Sequence, residues 1–459
     1  MLASQEWKYF FMREGAGRVR NDRKEGFYMA KEANKQSLWK NIVIGLQHTL
    51  AMFGATVLVP LLTGLDVGVT LFCAGIGTLI FHLCTKGKVP TFLGSSFAFI
   101  GAINAVAQRA GSLAAGTAVQ VGDAAYQAAL PYATGGIVAA GLVYLVLAVL
   151  VYYIGTEKFL KLFPPVVTGS MIVIIGLMLA PTAINSITAN GTLVGWDLAK
   201  NWLVAAVSIV TIIGISLFTK GFFKLVPILF GIVAGYIAAA LFGLVNFDVI
   251  DQRAFFEIPK FMLPRFDGPS ILLIAPVAIV TFVEHVGDVT ASSAVVGKNF
   301  MQDPGLHRTL LGDGLATAVA GTLGGPANTT YSENTSVLAT TKNYNPVTLR
   351  IAAIFAICLA FLGKFSGAIA TLPGAVSGGV SMVLYGMIAA VGLRNLVEHK
   401  VDFKRSRNLY IAAVMLVLGL GGATIKISET AQISGVALAA ILGIVLNRIL
   451  PEKIDKNGD

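Results

Sequence analysis

Long stretches without a single Asp, Glu, Lys or Arg restrict this chain more than any other feature. Such runs cover residues 41 to 65, 67 to 85, 89 to 108, 201 to 219, 225 to 247, 365 to 393, 408 to 425 and 430 to 447. Each is close to the ~20 apolar residues that cross the hydrocarbon of a bilayer as a helix. Inside lipid no water satisfies the backbone, so a spanning segment must be helical, or irregular only where protein or a watery hollow surrounds it. Of the 459 residues only 13% are charged, about half the usual share. A soluble enzyme and a disordered protein are both excluded, and an all-α polytopic membrane protein is expected. The first run lies too far from the start, and too close to the second, to be a cleaved secretory signal.

Fourteen membrane segments are expected, centred near residues 51, 76, 98, 145, 175, 208, 235, 280, 315, 336, 356, 384, 416 and 440. Lys and Arg are retained preferentially in cytoplasmic loops, and Lys86, Lys88, Lys158, Lys161, Lys220, Lys224, Lys298, Arg308, Lys342, Arg350 and the cluster from Arg394 to Arg407 all follow even-numbered segments. Both termini are therefore expected in the cytoplasm, with the protein in the plasma membrane. Lys364 is the misfit, since it should approach the outer surface. The formal net charge of +10 accordingly indicates inner loops and not a nucleic-acid partner. Residues 1–38 read as a basic cytoplasmic tail touching anionic lipid and 451–459 as a short cytoplasmic tail. The three cysteines, Cys73, Cys84 and Cys358, lie in apolar stretches with no paired spacing, so buried inert thiols are expected.

Aligning the polar interruptions reveals an internal repeat. Gln47-His48 and Glu284-His285 are 237 residues apart, as are Ser95-Ser96 and Ser332-Glu333. Residues 39–245 and 270–450 thus form two seven-span halves, joined by an extracellular connecting loop at 246–269. Seven is odd, so the second half enters the membrane inverted, an arrangement found in secondary transporters with the ligand held between halves near mid-bilayer.

One segment in each half reads badly as a continuous helix: Pro90 to Ile100 in the third and Gly324 to Asn334 in the tenth. Pro, Gly, β-branched and aromatic residues favour extended backbone. Short extended strands are therefore expected in segments 3 and 10, crossed, with free amide and carbonyl groups facing a ligand. The eighth segment carries Glu284-His285-Val286-Gly287-Asp288 after the apolar run from Ile271. Glu284 and Asp288, four apart, share one helix face; intramembrane carboxyls are costly unless paired, protonated or hydrated, and are functional by default. His285 points elsewhere on the helix and reads as a packing residue; His48 in the first segment is structural or faces the same hollow. Glu333 is the third intramembrane acid. Three acids in a low dielectric disfavour three simultaneous negative charges, so one proton shared among Glu284, Asp288 and Glu333 is expected. Carboxyl groups and free amides suit a small planar imide or lactam, with Phe97, Phe99 and Tyr331 available for ring stacking.

At these residues the chain resembles the nucleobase/ascorbate transporters (nucleobase:cation symporter type 2), and most closely their bacterial uracil permeases. The motif in the tenth segment reads Glu333-Asn334-Thr335-Ser336-Val337-Leu338-Ala339-Thr340-Thr341-Lys342, with Ser336 where the family has Gly. The resemblance extends through Leu46-Gln47-His48, Gly54 to Pro60, Gly94-Ser95-Ser96-Phe97-Ala98-Phe99 and Asp303 to Arg308, over about residues 39 to 450. It implies a fold of fourteen segments in core and gate domains, a homodimer, and a base held by Glu284 and Glu333, by backbone groups of Phe97 and Ser332, and against Ala55. Tyr331 is placed with this substrate set, and His48, Ser95, Ser96, Asn334 and His285 in support. Asp288 is as in purine-transporting relatives, whereas Glu333 favours uracil.

The expected function is proton-coupled import of a nucleobase, uracil first and xanthine or another purine as the alternative. No cofactor is expected; the coupling ion is a proton, with sodium the other candidate. An anion carrier or channel of the same fold is a competing reading, against which three acids in one hollow would repel the cargo. An enzyme is not expected: no His-Glu-x-x-His occurs, and the Tyr-Asp of intramembrane aspartyl proteases is missing.

Overall fold

The computed structural model describes residues 38–426 and 432–451. Except for Leu38 and Pro451, both expected tails lie outside the described residues. The chain begins with helices α1 (Leu38–Thr63) and α2 (Val67–Cys84), turned at Gly64 (φ 72°), and Asp66 caps α2 by accepting from the Val69 amide at 2.8 Å. Strand β1 (Leu93–Ser95) then leads through one 3-10 turn (Phe97–Phe99) into α3 (Ile100–Ala115). The first half continues with α4 (Ala124–Ile154), α5 (Pro165–Met178), α6 (Ala180–Thr188), α7 (Gly195–Phe218) and α8 (Pro227–Leu241).

After the connecting stretch come α9 (Gly268–Ile274), α10 (Val277–Val296) and α11 (Leu306–Thr322). Strand β2 (Asn328–Thr330) feeds α12 (Ser332–Thr341), followed by α13 (Pro346–Ala360), α14 (Gly363–Ala370), α15 (Gly374–Glu398) and α16 (Ser406–Leu420). A small ladder of β3 (Ile425–Lys426) and β4 (Gln432–Ile433) precedes α17 (Gly435–Ile449). Among the described residues seven helices are long and apolar enough to cross a membrane: α1, α2, α4, α5 with α6, α7, α9 with α10, and α15. Four shorter apolar helices, α8, α13, α16 and α17, accompany them.

Small residues let the helices that carry the site approach closely, as expected where lipid removes any hydrophobic drive between them. A Cβ on Gly141 of α4 would stand 2.6 Å from the Ala318 nitrogen of α11, and one on Gly321 would stand 2.8 Å from the Thr134 oxygen. α4 packs on α11 and α3, α2 on α13 and α11, and α1 on α13; α5 packs on α15 and α16, and α7 on α8 and α15. Cysteine burial is uneven: Cys73 is buried, Cys84 half-buried and Cys358 exposed. The expectation of three buried thiols is thus corrected at Cys358, which shares the outward face of α13 with Ile354, 53% exposed.

The stretch 246–269 is mostly irregular, and its backbone is tied to the helices around it. The Glu257 amide donates to the Phe361 oxygen and the Gly363 amide to the Phe255 oxygen, both at 2.9 Å, while the Arg265 amide donates to the Pro131 oxygen at 2.8 Å. The misfit Lys364 ends here, its ammonium donating to the carbonyls of Ile250 at 2.8 Å and Asp251 at 3.0 Å. A lysine that finds backbone acceptors in this stretch needs no place among lipid tails.

Candidate functional site

The two interrupted segments meet. β1 and β2 pair antiparallel, with Leu93 opposite Thr330, Gly94 opposite Thr329 and Ser95 opposite Asn328. Flanking bonds run from the Ser96 amide to the Ala327 oxygen (2.9 Å) and from the Tyr331 amide to the Phe92 oxygen (3.0 Å). The extended backbone expected in both segments is present, but much of its hydrogen bonding is spent within the pair. The groups left for a ligand are those of the helices that start next: the 3-10 turn begins at Phe97 and α12 at Ser332, neither with a side-chain cap. First-turn amides of a helix have no partner inside it, and they form a positive end.

Pairing Gly94 with Thr329 makes the two strand-and-helix units equivalent at an offset of 235, so that Phe97 corresponds to Ser332. The sequence alignment of Ser95-Ser96 with Ser332-Glu333 is therefore two residues out of register here. Strand geometry fixes the correspondence where residue identity does not: the first unit has Phe at the helix start and the second has Ser.

Two side chains lock the strand pair. Thr78 of α2 accepts from the Leu93 amide at 2.9 Å, and Thr317 of α11 donates to the Asn328 oxygen at 2.9 Å. Tyr331 reaches across to β1, its hydroxyl donating to the Ser95 oxygen at 2.7 Å, and its ring fills the space over Gly94, where an added Cβ would sit 2.4 Å from ring carbons. Ser95 Oγ donates to the Thr56 oxygen of α1 at 2.8 Å, whereas the buried Ser96 Oγ finds no partner. Tyr331 and Ser95 thus clamp the backbone of β1 to its neighbours.

The acids come from two helices that pack together, α10 and α12. Glu284, Asp288 and Glu333 are each half-buried and Ser332 is exposed, although Phe282, Val283, His285, Tyr331 and Asn334 beside them are closed. The three acids thus keep partial exposure on two helices that pack against each other. Glu284 lies within electrostatic reach of Glu333, and Asp288 of both. Thr330 Oγ1 donates to Asp288 Oδ2 at 2.8 Å, tying the helix face to β2. Asn334 is turned away, its Nδ2 donating to the His48 oxygen and lying 3.1 Å from His48 Nδ1, so this pair fastens α12 to α1. Ala55, Phe97 and Tyr331 fall in one buried apolar cluster. Ser336, at the motif's Gly position, is exposed and donates to the Ser332 oxygen at 3.3 Å.

Phe99 does not join the site. It packs into a separate cluster with Ile103 and Tyr144, so its expected stacking role is corrected. A 3-10 turn rotates about 120° per residue, which sends Phe97 and Phe99 to different faces. His285 is fully buried, with Nδ1 2.7 Å from Asp313 Oδ2 and Nε2 2.9 Å from Thr309 Oγ1, in keeping with the packing role read for it.

Sequence reasoning missed Asp313, a fourth acid, also within electrostatic reach of Glu284. The signal was available: Gly312-Asp313-Gly314 stands inside the ninth expected segment. Tyr385 of α15 was missed as well; its ring meets Phe97 edge-on at 6.0 Å between centroids, and nothing distinguishes it in the sequence from packing tyrosines.

The model of a family described as "Permease family" matches residues 39–427. A probable uracil permease of Haemophilus influenzae is 42% identical, covering 92% of this chain and 96% of its own length. A uracil permease of Bacillus caldolyticus is 45% identical over 89% of this chain and 92% of its own. A putative pyrimidine permease of Escherichia coli, RutG, is 38% identical over 90% of both. Among solved structures, the transmembrane domain of the cyanobacterial bicarbonate transporter BicA aligns with a TM-score of 0.62 at 16% identity, covering 89% of this chain and 96% of that one. The murine anion transporter Slc26a9, inward-facing, aligns at 0.64 and 11% identity, covering 90% of this chain and 68% of that one.

Proposed function

The chain belongs to the permease family matched over residues 39–427, the nucleobase/ascorbate transporters whose motifs it carries, and from that premise we propose that it imports uracil by proton symport. It is a membrane transporter and not an enzyme. The observation that carries the reading is the pair of uncapped helix starts at Phe97 and Ser332, set beside carboxyls from α10 and α12.

Uracil presents alternating N–H and C=O groups around one edge. Amide donors at Phe97 and Ser332 suit its carbonyls, and Glu284 and Glu333 suit its N–H groups. Ala55, Tyr331 and Tyr385 close the apolar faces. Asp288 shares the proton with the two glutamates, while His48, Ser95, Ser96, Asn334 and His285 hold the frame. Strand pairing at a common offset supports fourteen segments in two inverted sevens. The packing of α1 to α4 with α11 and α13, and of α5 to α8 with α15 and α16, supports a core moving against a gate. A homodimer in the plasma membrane with both termini cytoplasmic completes the reading.

Coupling follows from electrostatics. Carrying an uncompensated carboxylate through the bilayer interior is costly, by about 2.5–3.5 kcal/mol on insertion scales. A proton taken up with the base removes that cost for the loaded carrier. The fold alone does not name the cargo, since the solved neighbours are described as bicarbonate and anion transporters. Here several acids surround the hollow, which disfavours an anion.

The test is uptake of labelled uracil into proteoliposomes under an imposed proton gradient, with xanthine, hypoxanthine and bicarbonate as competitors. Accumulation that collapses with a protonophore, persists without sodium and is displaced by excess uracil supports the proposal. Displacement by xanthine alone, or dependence on sodium alone, overturns it.

A further inference from the structure

A cavity of about 320 Å³ lies away from the carboxyl site, between α5, α15 and α16. Its walls include Val173, Leu396, Phe403, Leu409 and Ala413. The close packing beside it explains the gap. α5 and α15 touch through glycine, where a Cβ on Gly392 would stand 2.6 Å from the Val173 nitrogen. α16 leans on α5 at Gly419, whose added Cβ would sit 2.5 Å from Ile174. On the other side of that contact, toward Ser406, larger side chains line an opening that reaches the protein surface at Leu409, 51% exposed.

Two further features mark a ligand. Ser170 lines the cavity, is 1% exposed, and its hydroxyl has no hydrogen-bond partner. It sits five residues into α5, about 7 Å below the helix start at 1.5 Å per residue. At that same end, residues 394 to 407 carry five basic side chains against two acids. Arg394 is paired with Glu398 at 3.5 Å and Arg405 with Asp402 at 3.8 Å, and Arg407 donates to the Leu450 and Asn447 carbonyls. Among the described residues Lys400 and Lys404 have no acidic partner.

We propose that this cavity binds one anionic phospholipid per protomer, with an acyl chain against the α5, α15 and α16 walls, an ester carbonyl accepting from Ser170 Oγ, and the phosphate beside Lys400 and Lys404. Basic pockets between membrane helices are recognised sites for anionic headgroups. An acyl chain matches the almost wholly apolar wall. The depth of Ser170 matches that of an ester beneath a phosphate at the helix end.

The experiment uses the full chain in a neutral detergent, titrated with dioleoyl phosphatidylglycerol, dioleoyl phosphatidylcholine or oleate, and read by native mass spectrometry and thermal unfolding. The wild type is expected to retain one phosphatidylglycerol per protomer and to gain several degrees in Tm over the phosphatidylcholine sample. Ala413→Trp, which fills the mouth, should cut retention at least fivefold. Lys400→Gln with Lys404→Gln, on the loop, should weaken it about tenfold without requiring any change in the cavity. Ser170→Ala should weaken it severalfold. Equal retention of phosphatidylglycerol and phosphatidylcholine, full competition by oleate, or unchanged retention in the double lysine variant overturns the proposal.

Discussion

Asp313 Oδ2 lies 2.7 Å from His285 Nδ1, with both side chains fully buried between α10 and α11. Because Glu284 precedes His285 directly, this contact fixes the rotation of α10 and so the direction in which Glu284 and Asp288 project. Changing one partner of a buried hydrogen-bonded pair leaves the other poorly satisfied and typically costs about 1–3 kcal/mol, whereas changing both together costs less. Asp313→Asn is therefore expected to lower the unfolding temperature sharply in detergent. Combining it with His285→Gln should recover part of the loss, and a double-mutant cycle of thermal unfolding measures the coupling. Strict additivity would exclude the pair as a structural unit.

Glu284→Gln keeps the shape of the side chain but can no longer gain or lose a proton. The variant is expected to insert and unfold at close to the wild-type temperature and to lose concentrative uracil uptake. Unchanged accumulation and unchanged pH dependence would remove Glu284 from coupling.

Thr330→Val removes the 2.8 Å hydrogen bond to Asp288 at nearly constant volume. A hydrogen bond between side chains contributes about 0.5–1.5 kcal/mol, so uracil KM is expected to rise severalfold. Thr330→Ser, which keeps the hydroxyl, should stay near wild type. If valine and serine behave alike, the bond has no role in uptake.

The strand pair gives a steric prediction. Gly94→Ala would place a methyl 2.4 Å from the Tyr331 ring, nearer than side chains approach, so the ring must shift and its bond to Ser95 is broken. Loss of both folded yield and uracil-induced thermal stabilisation is expected. Tyr331→Phe keeps the ring, loses the hydroxyl's bond to the Ser95 oxygen and should cost about 1 kcal/mol. Normal uracil stabilisation of Gly94→Ala would show that the Tyr331 clamp does not organise the site.

Proton coupling has a sign and a size. A membrane potential of 100 mV contributes about 2.3 kcal/mol per charge, close to a fiftyfold ratio at 1.36 kcal/mol per tenfold. With one proton per uracil, an inside-negative potential of that size should give accumulation of about this order. An inside-positive potential should suppress it. Uptake indifferent to the sign of the potential would exclude net positive charge movement.

Much of the fold was readable because lipid leaves few choices: a run without charge must be a helix, as for α1 and α2, and Pro with Gly at membrane depth must be sheltered, as in β1 and β2. The acids Glu284, Asp288 and Glu333 announced themselves by polarity alone. What stayed hidden was register and partnership. The alignment at 237 slipped by two residues at the strands because Phe97 and Ser332 correspond in backbone and not in side chain. Asp313 was overlooked beside louder acids, and Phe99 was drawn into the site because a sequence does not reveal which way a 3-10 turn faces. Tyr385 meets Phe97 only through packing between α15 and the strand unit, which no local pattern encodes.

The antiparallel pairing of Gly94 with Thr329 has a bearing on how the protein is made. Residue 94 leaves the ribosome more than two hundred residues before its ladder partner. Until then the first strand waits in the bilayer with its edge unmet, a condition that lipid penalises. The strand pair is thus among the last features to exist during biogenesis, and a nascent chain halted before β2 would be an inserted protein whose two interrupted segments have not yet met.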